Sequence, residues 1–139
     1  MIRQDIYLKT WDWRCRIYYA IDTYYVDEIV QDLISIGCEG EDLESAKRNL
    51  IDGALNTGLT YTSPRDRASI VVIAQTSSAE EFQNSYDHEK GHLAKQISRC
   101  LRLDPYGEET QYLAGAIGQA TFKVAKTFLC DRCRRKLIN

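Results

Sequence analysis

The stretch Ala68-Ser69-Ile70-Val71-Val72-Ile73-Ala74-Gln75-Thr76-Ser77-Ser78-Ala79-Glu80-Glu81-Phe82 decides the fold class. Its first half is apolar and largely β-branched from Ile70 to Ala74, the composition of a strand covered on both faces. Its second half opens a helix. Ser78 followed by Glu81 makes a capping box, in which the hydroxyl accepts from the backbone N–H at position 81 and the carboxylate reaches back. Beyond it, Phe82, Leu93, Ile97 and Leu101 keep to one helical face, so a long helix is expected from Ala79 to about Arg102.

Upstream, Leu59 to Thr62 is a second extended run, joined to the first by the turn residues Ser63-Pro64-Arg65-Asp66. Two amphipathic helices precede it. One carries Val26, Ile29, Val30, Leu33 and Ile34, with Asp22 or Thr23 as cap and Gly37 as stop. The other carries Leu43, Ala46, Leu50, Ile51, Ala54 and Leu55 and is expected to stop at Gly58. At the start of the chain, Trp13, Cys15, Ile17 and Tyr19 alternate with Arg14 and Arg16. With Ile6 and Leu8 before them, they read as an N-terminal hairpin. Downstream, Asp104-Pro105-Tyr106-Gly107 breaks the long helix. A last helix runs from near Glu108 to Phe128 or beyond on a stripe of Leu113, Ile117, Ala120, Val124 and Phe128. The expectation is a single α+β domain over residues 1–139, with a short mixed or antiparallel sheet packed against helices.

Composition narrows the function classes. The 18 basic and 20 acidic residues leave a net charge of −2, which does not point to a nucleic-acid or membrane surface. No apolar run approaches the ~20 residues of a membrane span. Met1-Ile2-Arg3-Gln4-Asp5 lacks the basic-then-apolar pattern of a secretion signal, so a cytoplasmic protein is expected. Five cysteines at irregular spacing read as reduced thiols.

Within the long helix stands His88-Glu89-Lys90-Gly91-His92, and the 2 histidines of the chain are both in it. Residues four apart on a helix share a face, so the two imidazoles can converge on one metal, and zinc favours neutral imidazole in a tetrahedral set. Glu89 lies about 100° round the helix from His88, where it can take a proton from water without ligating the metal. A third ligand must then be a carboxylate or thiolate. Glu108 and Glu109 open the next helix, and a returning helix would bring that turn alongside. Glu109 is in phase with the stripe of Leu113; Glu108 is in phase with Tyr112 and Gly115, and helical phase does not decide between them. Tyr112, one turn after Glu108, is a candidate oxyanion donor, with core packing as its alternative role.

From Thr60 to Leu129 the chain resembles the small His-Glu-x-x-His proteins of phage and mobile-element regions in Bacteroides-type bacteria. The resemblance rests on Ser69 to Ala74, Thr76 to Phe82, Asp87 to Leu93 and Gly107 to Leu113. Those proteins are similar to zincin metallopeptidases of the gluzincin type. The resemblance implies Zn²⁺ held by His88, His92 and a downstream glutamate, with Glu89 as general base. It favours Glu108, which stands four before Tyr112 in a Tyr-Leu pair. It also implies an edge strand at Ile70 to Ala74 for a peptide or protein substrate. The chain departs from larger gluzincins in lacking an Asn-Glu-x-x-Ser-Asp block and a second domain. The leading expectation is therefore a zinc-dependent metallohydrolase acting as a peptidase. Its rivals are a zinc-stabilised partner-binding protein of a mobile element, and a DNA-associated accessory protein acting through the basic tail Arg132, Arg134, Arg135 and Lys136. Cys130-Asp131-Arg132-Cys133 is half of a zinc-knuckle pattern, or thiols at a helix end.

Overall fold

The computed structural model describes residues 2–21, 25–52 and 58–138. Its sheet follows from the alternation read above. Strand β1 (Ile2–Leu8) pairs antiparallel with β2 (Trp13–Ile21), in a register that sets Ile6 against Cys15 and Leu8 against Trp13. Strand β3 (Leu59–Ser63) and strand β4 (Ala68–Ala74) form the second antiparallel pair. β4 also runs parallel to β2, giving a mixed sheet in the order β1-β2-β4-β3. All seven β4 residues are buried, as a run apolar on both faces requires. β4 is therefore internal, and the edge strands are β1 and β3. The expectation of a substrate-facing edge at Ile70–Ala74 is corrected: that run is too apolar to survive at an edge, and the polar run Leu59–Ser63 takes the place.

Two cores fill the two faces. On one, Trp13, Cys15, Ile17, Tyr19, Val71 and Ile73 meet helices α3 (Ala79–Cys100) and α4 (Glu108–Phe128). On the other, Tyr18, Ile21, Ile70, Val72 and Ala74 meet α1 (Val26–Ser35) and α2 (Gly40–Ile51). The pairing of β2 with β4 slips between Tyr19 and Ile21, where Ala20 takes a left-handed φ of 56°. This bulge is what sends Ile21 to the second core instead of the first. The protein is thus α+β, with five α-helices among the described residues.

Local signals account for most helix ends. Gly37 adopts φ 93°, and Cys38 N–H donates to Leu33 C=O at 3.0 Å, so α1 closes on a left-handed glycine as expected. Its expected caps, Asp22 and Thr23, lie outside the described residues, as do Ala54 and Leu55. α2 ends at Ile51, short of Gly58, and Ile51 faces solvent instead of the core. At α3 the Ser78 hydroxyl accepts from Glu81 N–H at 3.1 Å. The Glu81 carboxylate reaches one residue further back than a capping box requires, accepting from Ser77 N–H at 2.9 Å. Hydrogen bonds from the Ser77 hydroxyl, at 2.7 Å, and then from its N–H hold the Glu81 pKa below the usual carboxylate value. Helix α5 (Asp131–Ile138) completes the chain. Arg134 does not belong to a solvated basic tail. It is buried and donates to the carbonyls of Thr76 at 2.6 Å and Ser77 at 2.8 Å, latching α5 to the root of α3. Among the described residues, no helix is long and apolar enough to cross a membrane.

Candidate metal centre

α3 positions the His-Glu-x-x-His residues. Its apolar face buries Phe82, Leu93 and Ile97, which fixes the helix rotation on the sheet. On the flank, the His88 and His92 rings meet edge-on with centroids 4.6 Å apart, and their Nε2 atoms approach to 3.1 Å. Two nitrogens ~2.1 Å from one tetrahedral zinc would stand about 3.4 Å apart. The imidazole pair therefore fits half of a zinc site with little adjustment. Both rings are exposed.

Glu89 sits differently. It is only 2% exposed, and its carboxylate turns under the end of the sheet, where Thr60 Oγ1 donates to Oε1 at 3.0 Å. Gly58, just before β3, makes room for it at φ +69°. A Cβ there would come within 3.1 Å of Glu89 Cγ and 3.3 Å of Cδ, and would also run into the Val72 carbonyl oxygen. Burial raises the Glu89 pKa, with the Thr60 hydrogen bond and then the His88 charge pulling the other way. Thr60 and Gly58 are absent from the sequence reading of the site. They are distant along the chain from Glu89, and only the packing of α3 on β3 brings them together.

Among the described residues, Glu108 and Glu109 are not gathered with the histidines. α4 packs on α3 through Tyr86, whose hydroxyl hydrogen-bonds Thr121, and through Lys90, which lies beside Gly118. His88 is two residues from both Tyr86 and Lys90, about 160° round the helix from that contact. The registers Tyr86–Thr121 and Lys90–Gly118 also put Glu108 roughly 12 Å beyond the level of His92. Both glutamates are exposed at the first turn of α4, and Tyr112 is 68% exposed on α4, in neither the core nor the site. Among the described residues, no group of three or more His, Cys, Asp or Glu side chains is gathered for a metal.

A groove of about 530 Å³ opens between α2, β3 and the C-terminal half of α3. It is lined by Leu59, Thr60 and Tyr61 of β3, Gln96 and Arg99 of α3, and Asp42 of α2. Gln96 stands one turn along from His92, and its amide donates to the Thr60 carbonyl at 3.5 Å. The groove thus runs beside the unpaired edge of β3. Comparisons with protein-family models, with curated proteins and with solved structures find no match to this chain.

Proposed function

We propose that the protein is a zincin-like, zinc-dependent metallohydrolase that cleaves peptide bonds. His88 and His92 supply two ligands, and Glu89 is the general base. The observation that carries this reading is the 3.1 Å approach of the two Nε2 atoms, with a buried, upward-shifted carboxylate one residue from the first of them. When bound, zinc supplies Lewis-acid polarisation of a carbonyl and acidifies water. The chain's own residues do the rest. Glu89 accepts the proton of the attacking water and returns it to the departing amine. Thr60 fixes the carboxylate's direction, and the outer edge of β3 offers backbone partners to an extended peptide in the groove.

The remaining metal positions fall to water, substrate or a partner, since α4 brings no carboxylate to them. That same observation favours a second reading, in which the exposed imidazole pair binds a metal shared with a partner protein and no hydrolysis follows. The experiment is a zinc titration and a peptide-library digestion on the wild type, His92→Ala and Glu89→Gln. Zinc affinity should fall about 100-fold in His92→Ala and persist in Glu89→Gln. Hydrolysis should fall about 10²- to 10⁴-fold in Glu89→Gln. Zinc binding with no cleavage by the wild type selects the second reading, and absence of zinc binding removes both.

A further inference from the structure

The densest chemistry left unused by the α3 site lies at the start of α5. All five cysteines are free, but Cys15 and Cys38 are buried and Cys100 is half-buried, whereas Cys130 and Cys133 are exposed. Cys130 is the residue immediately before α5, so its sulfur takes the position of a helix N-cap. Cys133 lies three residues on, in the first turn of α5, and Arg134 N–H donates to the Cys130 carbonyl at 2.8 Å, so the two exposed cysteines share one helical turn. Two thiols on one helical turn and unequally placed will not share a proton evenly. Backbone donors stabilise negative charge on Cys130 and lower its pKa, while the charge developing on Cys130 raises that of Cys133.

The support beneath the pair is fixed. Asp131 accepts from Ala79 N–H at 2.8 Å, and Arg134 donates to Thr76 C=O and Ser77 C=O. The first turn of α5 is thereby anchored on both sides of the thiols, which keeps the helix end formed and its N–H groups aimed at Cys130. Exposure and placement on one anchored helical turn, with unequal acidity besides, suit a dithiol that reacts with an incoming disulfide.

We propose that Cys130 and Cys133 form a thiol–disulfide exchange site, with Cys130 attacking and Cys133 resolving, whose co-reactant is a small-molecule or protein disulfide. The Cys130 thiolate attacks one sulfur of the incoming disulfide, forms a mixed disulfide and expels the other half as a thiolate. Cys133 then loses its proton and attacks the Cys130 sulfur, expelling the second half. The protein dithiol is oxidised by two electrons to an intramolecular disulfide, and the co-reactant is reduced to two thiols. None of this depends on the α3 site.

Glutathione disulfide is the probe, applied to the reduced full-length protein in the presence of chelator, with intact mass and peptide mapping as readouts. The expected product is a Cys130–Cys133 disulfide. Cys133→Ser should trap glutathione on Cys130, and Cys130→Ser should form its adduct on Cys133 about tenfold more slowly. Cys100→Ser should behave as the wild type. The assignment is overturned if no Cys130–Cys133 disulfide forms at the most oxidising glutathione ratio. It is equally overturned if Cys130→Ser is trapped as fast as Cys133→Ser.

Discussion

The two edges of the sheet meet the rest of the molecule in opposite ways. At β1, helix α4 lies against the strand: the Gln4 amide donates to Ala120 C=O at 3.2 Å and accepts from the Tyr19 hydroxyl at 2.8 Å. Behind it, Tyr19 stacks on Phe128 at 5.4 Å and Phe128 on Phe82 at 4.9 Å, welding hairpin, α3 and α4 together. Among the described residues, no helix covers β3 in this way. The strand's outer side faces the groove, and its contacts with α3 are polar, through Glu89 and Gln96. A sheet edge left open is a liability unless it is used. Here the open edge and the paired imidazoles fall on the same side, because α4 has closed the other.

The largest effect expected from breaking this contrast is at the welded edge. Phe128→Ala should cost about 3–5 kcal/mol in urea denaturation, because it empties a ring stack shared by three elements. A loss below ~1 kcal/mol would mean that α4 does not fasten β1.

At the open edge the sign reverses. Glu89→Gln should stabilise the zinc-free protein by about 2 kcal/mol at pH 7, since a buried carboxylate no longer has to ionise. The pH dependence follows from the raised pKa of Glu89. The folded chain keeps this proton where the unfolded chain, with its value near 4.5, has already released it. The wild type therefore loses stability relative to the variant as pH climbs from 4.5 through the folded value, and the two converge below 4.5. Thermal melts across that range would refute the burial argument if the difference stayed constant.

Smaller effects sharpen the comparison. Thr60→Val removes the hydroxyl donated to the Glu89 carboxylate and should cost about 1.5 kcal/mol at pH 7, and less in a Glu89→Gln background, where the acceptor is neutral. Additive losses in that double-mutant cycle would dissociate the two residues. Gln4→Ala should cost about 1 kcal/mol and leave zinc binding unchanged, as the edge it serves is remote from the histidines.

Much of this architecture is readable from local signals, because they act over a few residues. The alternation of Trp13, Cys15, Ile17 and Tyr19 gives the buried face of β2, the Ser78 hydroxyl starts α3, and Gly37 ends α1. The convergence of His88 and His92 follows from helical pitch alone. What periodicity does not encode is the side on which the next helix returns. α3 is amphipathic with a broad apolar face, and Tyr86 with the stem of Lys90, whose ammonium lies over the Tyr86 ring at 4.6 Å, makes one flank as packable as the other. The connection through Asp104 and Pro105 takes α4 to that flank, and with it Glu108, Glu109 and Tyr112 leave the histidine side. The burial of Arg134 was equally hidden, since one arginine among four basic residues near the chain's end gives no local sign that two distant carbonyls await it.

Gly58 gives the open edge a strict steric specification. A side chain at this position would run into the Val72 carbonyl oxygen and crowd the Glu89 side chain, on a backbone whose φ of +69° already disfavours one. A single methyl group there would press on the acid and on the neighbouring strand together. The acid's seat is carved from missing atoms, and in this fold the omission of a side chain is as much a design choice as the presence of one.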